Sequence, residues 1–518
     1  MLLAKSLRPE ATDAAEDIQQ VDVNSLEFLR PRSVGVEHLA VSALQQLGLD
    51  VKLTELGLSG KQSAAILGNL VARVTAPKSE LGTYKWLNNT SAVGELIDFD
   101  FSKIPLMALY RGSDVLLKHK DSIEAYLYQQ ERSLFEFEDV ITLYDLTNTY
   151  FEGQATSNAD AARGHSKEKR SDSPLVTLAI ILDGSGFPKR SEIFPGNISE
   201  PGTLEVLLNA LHAGTTTHQP TVVLDAGIAS EANITWLKER EYKYLVVSRK
   251  RTLPPVDFEK SEAIKDRDGK SEVRVERVIN ASGEVELYCH SLQREEKDRA
   301  IESQMAQRYE EALVRLNAGL SLKRTVKKYG KILIRLARLK QRYPRASQHY
   351  QVEVDHDEDS GLATEIRWSR IKSIDETHPG VYCLRSNETE WDGNTLWRTY
   401  TIADGSRSGF RCLKSELGLR PIFHHKSSRV SGHLFICVLA YHLVHTVRSQ
   451  LKHCGIDLSW EGIRRVMAPQ QRVTTQLKRP DGRTLHIRKS PRAEHAQQEI
   501  YDSLGISSQL GRIEKVVL

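Results

Sequence analysis

The sequence predicts an α/β protein. Its core is a mixed five-stranded sheet with flanking helices, preceded by a helical N-terminal domain and interrupted by a β-rich and helical insertion. Three observations carry this. Apolar residues recur at helical spacing over the first quarter of the chain. From about residue 140, short runs of β-branched and aromatic residues bounded by turn residues arrive in series. A long stretch of mixed character then separates these runs from a final apolar helix. The 518 residues suffice for two to four domains.

Residues 1–30 are acidic and irregular and read as a flexible arm. In the helical domain, 31–136, Val36, Leu39 and Leu47 mark one helix, and Ile66, Leu67, Leu70, Val71 and Val74 mark another that Ser59-Gly60 opens. The first part of the core, 137–251, holds strands at Val140–Phe151, Pro174–Leu182 and Arg190–Phe194. It continues with a helix near Gly202–Ala213, a strand from Thr221 that carries Asp225, a helix near Ser230–Arg240 and a strand at Tyr244–Ser248. Three antiparallel strands, helix, strand, helix and strand is the order of a ribonuclease-H-like core, which is an argument about fold alone. The insertion, 252–395, predicts strands and two long helices, roughly Arg294–Leu316 and Lys323–Arg342. The core resumes over 396–455, with a helix from about 404 to Leu417 and an apolar helix around His433–Val447. Residues 456–518 form a basic C-terminal region.

The overall charge of +3 says little, but its distribution says more. From Leu396 onward there are 20 Lys/Arg against 9 Asp/Glu, and from Leu320 to Val352 there are 10 Lys/Arg and no acid. Such clustering suits a polyanion, nucleic acid first, unless these are solvated helix faces. The five cysteines form no CxxC pair, which argues for a reducing compartment and against a zinc or disulfide framework. The stretch His433–Val447 is too short to span a bilayer, so no membrane role is expected. Its histidines His433, His442 and His445 read as packed side chains, and Asp355-His356-Asp357-Glu358-Asp359 reads as a hairpin turn.

Two aspartates stand out. Asp145 sits inside the run Val-Ile-Thr-Leu-Tyr-Asp-Leu-Thr-Asn-Thr-Tyr-Phe, where an unpaired charge is costly. Asp225 ends the apolar run Thr-Val-Val-Leu and precedes a helix. Either alone reads as a strand-end aspartate capping a turn. Two carboxylates on two strands of one sheet can together hold a divalent metal. Two such ions about 4 Å apart stabilise both the attacking and the leaving oxygen of a phosphodiester. Oxygen ligands select Mg²⁺ or Mn²⁺. The loop Gly164-His165-Ser166-Lys167-Glu168-Lys169-Arg170 lies between the first two strands, and Lys167, Lys169 and Arg170 there either contact phosphate or are simply solvated.

These residues carry a resemblance. The chain resembles bacterial insertion-sequence transposases of the DDE type, in the group with a β-rich insertion and a Tyr-Arg-Glu-Lys signature. The matching segments are Leu143–Thr147, Gly164–Asp172 with Pro174-Leu175-Val176, Pro195-Gly196-Asn197, Asp225–Ala229, and Phe410–Ser415 through Arg420-Pro421 to Gly432-His433-Leu434. They cover roughly residues 30–505. The resemblance implies that Asp145 and Asp225 are the first two catalytic metal ligands, with Mg²⁺ or Mn²⁺ as cofactor. It implies that Tyr400 and Lys414 contact DNA, with Arg411 nearby. It also implies double-stranded DNA partners (terminal inverted repeats and target), a homodimer in a synaptic complex, and a bacterial cytoplasm with nucleoid association. The arginine position of the signature holds Ala403.

The third acid is missing. The family's glutamate falls three residues before the Phe-Arg pair, seven after the tyrosine and seven before the lysine, and all three counts land on Arg407. Arginine is a permanent cation without an acceptor atom. Gly405, Ser406, Ser408 and Gly409 are weak helix formers around it. One coding string for residues 403–409, GCTGACGGATCTCGAAGCGGT, reads Leu-Thr-Asp-Leu-Glu-Ala-Val when entered one base later, which is the order relatives tend to carry. The sequence therefore predicts either a transposase impaired in catalysis or a non-catalytic DNA-binding relative that occupies transposon ends.

Overall fold

The computed structural model describes residues 18–136, 140–164, 172–212, 220–248, 256–265, 272–371 and 378–518, with backbone alone for His212 and residues 402–408. The chain divides into two compact units, Met1–Thr217 with Ile402–Leu518, and His218–Thr401. The boundary at 217/218 thus falls inside the stretch expected as the first part of the core, and the second unit holds both strands of that core and the insertion.

The first unit opens with strand β1 (Asp22–Ser33). This corrects the expectation of a flexible arm through residue 30. Seven helices follow: α1 (Gly35–Gln46), α2 (Leu49–Glu55), α3 (Gly60–Thr75), α4 (Glu80–Asn89), α5 (Val93–Leu96), α6 (Leu106–Lys118) and α7 (Lys120–Phe135). Ser59 starts α3 through a capping box with Gln62, as the Ser-Gly signal predicts. Strands β2 (Ile141–Tyr150), β3 (Leu175–Asp183) and β4 (Pro188–Pro195) form an antiparallel meander, with Asp145 opposite Ile180. The Asp183 carboxylate closes the β3–β4 turn by accepting from the Ser185 and Phe187 amides, both at 2.8 Å. Helix α8 (Leu204–His212) ends this part of the unit.

The second unit contains β5 (Thr221–Leu224), α9 (Glu231–Glu239), β6 (Tyr244–Val247), β7 (Glu262–Lys265), β8 (Glu272–Ile279) and β9 (Val285–Ser291). Then come α10 (Leu292–Ser321), α11 (Tyr329–Arg342), α12 (Pro344–Ser347), β10 (Tyr350–Asp357), β11 (Leu362–Arg370) and β12 (Val381–Ser386). β5 and β6 are parallel, and β12, β9, β8 and β7 extend from β6 in antiparallel fashion, so the sheet of this unit is mixed. Helices α10–α12 and the hairpin β10–β11 enclose their own small core of Tyr309, Leu313, Leu320, Ile332, Leu336, Ala346, Tyr350, Ala363 and Ile366. α11 starts six residues later than the sequence suggests. Arg324 adopts a left-handed φ of 63°, and the backbone around Lys327 and Lys328 bonds to the hairpin instead (Ala363 N–H to Lys327 O, 2.8 Å). The acidic run at 355–359 is the hairpin turn that was expected: Asp355 pairs with Arg367 at 2.6 Å, and Asp357 accepts from Ser360.

Helix α13 (Gly393–Ser415) runs unbroken through the weak helix formers Gly405 to Gly409 and begins eleven residues earlier than predicted. Leu396, Trp397, Phe410, Cys412, Leu413 and Leu417 are buried along or just beyond it, so packing overrides propensity. At Gly409 an added Cβ would lie 2.5 Å from the Tyr441 hydroxyl, so glycine permits the close approach of the next helix. That helix, α14 (Ser427–His453), is longer than the apolar run implied, with a window of mean hydropathy 1.5. Length and composition would let it cross a membrane, but 89% of that window is buried inside the protein. It packs against α1, α3, α6, α7, β4 and α16 (His495–Leu504). Its histidines are packed as expected: His433 against Arg73 (3.3 Å), His442 against Glu131 (2.7 Å) and His445 against Ser185 O (2.9 Å). Burial pushes the Glu131 carboxyl well above its ordinary range and His442 down to about 4, so it disfavours the charged form of each. Burial likewise raises Asp183 to about 7.

The chain finishes with α15 (Trp460–Met467), β13 (Gln471–Lys478), β14 (Thr484–Lys489), α16 and β15 (Glu514–Val517). The order β1-β13-β14-β15 makes one antiparallel sheet from the two ends of the sequence. Arg472, 1% exposed, and Arg488 both reach the Glu95 carboxylate beneath it, at 2.5 and 2.7 Å. Arg472 also donates to Arg512 O at 2.6 Å, and Arg488 to Arg30 O at 2.8 Å.

Candidate active site

Asp145 lies in the middle of β2. Its neighbours Leu143, Tyr144, Leu146, Thr147 and Thr149 are buried, while Asp145 itself is half-buried. β-branched and aromatic residues on both faces hold the strand flat, and the antiparallel partner β3 is buried along its whole length. The Asp145 Oδ1 accepts the amide of Leu146 at 2.7 Å. Burial raises the pKa of the adjacent Tyr144 phenol, and the Asp145 charge adds to the rise; its hydroxyl donates to Thr203. Downstream, the Pro195-Gly196-Asn197 turn fits only a glycine at its centre. A Cβ on Gly196 would overlap Leu175 O at 2.1 Å and Ala162 O at 2.6 Å, because the segment around Ala162 bonds to the start of β3.

Asp225 follows the last residue of β5, in the second unit. It is exposed, and its Oδ1 accepts the amide of Ala226 at 2.6 Å, the same local geometry as at Asp145. Its carbonyl accepts from the amides of Ile228 and Ala229, which makes the Asp-Ala-Gly-Ile-Ala turn compact. Ile228 and Ala229 are buried and anchor it, and Ser230 then caps α9 through the Asn233 amide. A carboxylate at the carboxyl end of a parallel strand occupies the part of an open α/β sheet where ligands bind.

Beside that turn a cavity of about 470 Å³ is lined by Ala229, Ser230, Glu231, Ser248, Glu284 and Arg385, among others. Arg385 donates to Glu284 at 2.7 Å and to Glu231 at 2.9 and 3.1 Å, and Lys238 and Tyr244 also hold Glu284. Burial opposes the charged form of Glu284, but these donors outweigh it and bring the carboxyl down to about 2. The sequence did not single out this cluster. Its members come from three separated segments, and none is distinctive in its own stretch.

The remaining expected residues fall on α13 or outside the described residues. Positions 400, 407, 411 and 414 are separated by seven, four and three residues on one continuous helix, which places them on a single face. Tyr400 is half-buried, its ring 6.0 Å from Tyr382; Arg411 is exposed and Lys414 half-buried. Lys167, Lys169 and Arg170 lie outside the described residues. Divalent ions of the kind that the resemblance implies are held by acidic side chains. Position 407 holds arginine, and among the described residues no group of three or more His, Cys, Asp and Glu side chains is arranged to hold a metal ion.

Both units are mixed α/β, with one aspartate on the second strand and another just after the fifth. The sequence match is more specific: the family model "Transposase DDE domain" matches residues 136–443, more than half of the chain. The chain belongs to the DDE transposase family. Comparison with curated proteins finds no match. Among solved structures the chain is similar to a piggyBac transposase synaptic complex with hairpin DNA, seen by cryo-electron microscopy. That likeness has 9% identity and a TM-score of 0.36, and covers 83% of this chain and 77% of that one.

Proposed function

We propose that the chain is the DNA transposase of an insertion sequence, with a ribonuclease-H-like core, and that in its present form it binds DNA but is impaired in strand cleavage and transfer. Its partners are the element's terminal inverted repeats and target DNA, both double-stranded. Synapsis of two ends makes it a homodimer at work, in a bacterial cytoplasm on the nucleoid. Asp145 and Asp225 are its first two acids, and Tyr400, Arg411 and Lys414 contact DNA with Lys167, Lys169 and Arg170. The observation that carries the impairment is the arginine at 407, on the same face of α13 as Tyr400 and Lys414. A guanidinium there repels a divalent ion rather than binding it.

The test compares the parent with Arg407→Glu on DNA carrying the element's ends, with Mg²⁺ or Mn²⁺ present. The expected result is cutting by Arg407→Glu and none by the parent, with both binding the DNA. Equal cutting by both would show that 407 is not the third position. Binding without cutting by either would favour a non-catalytic relative that occupies transposon ends.

The shifted reading frame is tested separately by resequencing the gene. It would also place valine at 409, where a Cβ meets the Tyr441 hydroxyl that donates to Gly186 O. The single substitution at 407 leaves that contact intact and is the cleaner revertant.

A further inference from the structure

We infer that the solvent face of α11 is a docking surface for the phosphate backbone of double-stranded DNA, gripping duplex without reading its sequence. This rests on the transposase reading and adds to it a surface, in the second unit, that the family's catalytic signature does not include.

Four cations on α11, Lys331, Arg335, Arg338 and Arg342, are spaced four, three and four residues apart. At 100° per residue they form one stripe, and at 1.5 Å per residue it is about 16 Å long. All four are exposed. The neighbouring face of α11 is pinned: Ile332 and Leu336 are buried in the core that Tyr309, Leu313, Tyr350 and Ile366 share. The helix cannot roll, so the stripe stays turned to solvent.

None of the ten Lys/Arg between Leu320 and Val352 pairs with an acid among the described residues. The same module does pair cations elsewhere: Arg299 with Glu295, Arg315 with Glu311 at 3.1 Å and Arg367 with Asp355 at 2.6 Å. Like charges at these helical spacings repel one another. α11 therefore carries a repulsion that a bound polyanion would relieve. At the start of α11, Tyr329 stacks on His356 of β10 at 4.0 Å.

A straight row of cations matches a linear polyanion better than a globular one. Duplex DNA places a phosphate every 3.4 Å of axis on each strand, so a stripe of about 16 Å faces about five. Between the four cations only Gln341 carries an amide of the kind that reads base edges; Leu333, Ile334 and Ala337 offer none. Arginine and lysine can read guanine as well as grip phosphate, so the inference of phosphate contact rests on the linear spacing of the stripe.

The test uses the full chain carrying Lys331→Gln, Arg335→Gln, Arg338→Gln and Arg342→Gln together, binding a random-sequence duplex over a salt series. With all four on phosphates, the slope of log K against log salt should flatten by about 3–4. An unchanged slope and affinity would overturn the inference, as would tighter binding of the parent to duplex RNA or an acidic peptide than to the DNA. A loss confined to one DNA sequence would mean base reading and would overturn it too. The four substitutions are exposed, and an unchanged melting temperature confirms that the variant folds. Cutting by Arg407→Glu is scored in parallel. If that protein cuts end DNA while the fourfold variant keeps its slope, docking on α11 fails alone. If it never cuts while the slope flattens, the transposase reading fails and the surface stands.

Discussion

The C-terminal region and helix α11 look alike as charge counts and differ as surfaces. From Leu396 onward, 20 Lys/Arg face 9 Asp/Glu, yet many of those cations already have partners within the protein, some buried and some at its surface. Arg472 and Arg488 converge on Glu95, Arg429 pairs with Asp114, Arg465 with Glu461, and Arg479 and Arg483 share Asp481. Arg464 and Arg448 donate to backbone carbonyls. The stripe on α11 has no such internal use. A positive stretch of sequence thus holds two kinds of charge, one that builds the fold and one that projects a field, and only pairing separates them.

The largest expected effect breaks the first kind. Arg472→Ala removes a fully buried guanidinium and leaves Glu95 and two carbonyls without it, for a loss of about 3–5 kcal/mol in urea unfolding. A loss below about 1 kcal/mol would erase the distinction drawn here. Next, Leu336→Ala cuts the anchor of the stripe; about 2–5 kcal/mol should be lost locally. Hydrogen exchange should quicken on α11 while α14 is unaffected.

Buried charge can also be probed by pH. Asp183 carries a folded pKa of about 7 against 3.8 for the ordinary group, so the fold holds its proton. Its contribution to stability therefore falls as pH climbs from about 4 to 7 and levels off above. Asp183→Asn keeps the oxygen that accepts from Ser185 and Phe187, and should gain about 2–4 kcal/mol on the parent between pH 4 and pH 8. Thermal unfolding across that range checks the sign. The smallest effect belongs to the stripe: any single Lys or Arg to Gln change on it should move stability by less than about 0.5 kcal/mol.

Much of the core was legible in the sequence. The strand holding Asp145, the strand leading to Asp225 and the capped start of α3 carry local signals, namely β-branched runs and a Ser cap. What escaped notice depends on distant partners. β1 shows no clear alternation and is mostly exposed, since its order comes from β13. α13 contains Gly405 and Gly409, yet tertiary packing carries the helix through them. The cluster around Glu284 is invisible until β6, β9 and β12 align. Site chemistry was legible as residue types at fixed spacing, whereas the arrangement of unpaired and paired cations was not.

The sheet formed by β1 and β13 also has a consequence for assembly in time. Phe28 stands opposite Thr475, so about 450 residues separate partners that touch. At roughly 5–20 residues per second, the first strand leaves the ribosome on the order of 20–90 s before its partner exists. Throughout that interval Val23, Leu26 and Phe28 have no sheet to join. The first strand thus waits until β13 has been made, and a chain stopped before it presents an open strand edge to chaperones and proteases.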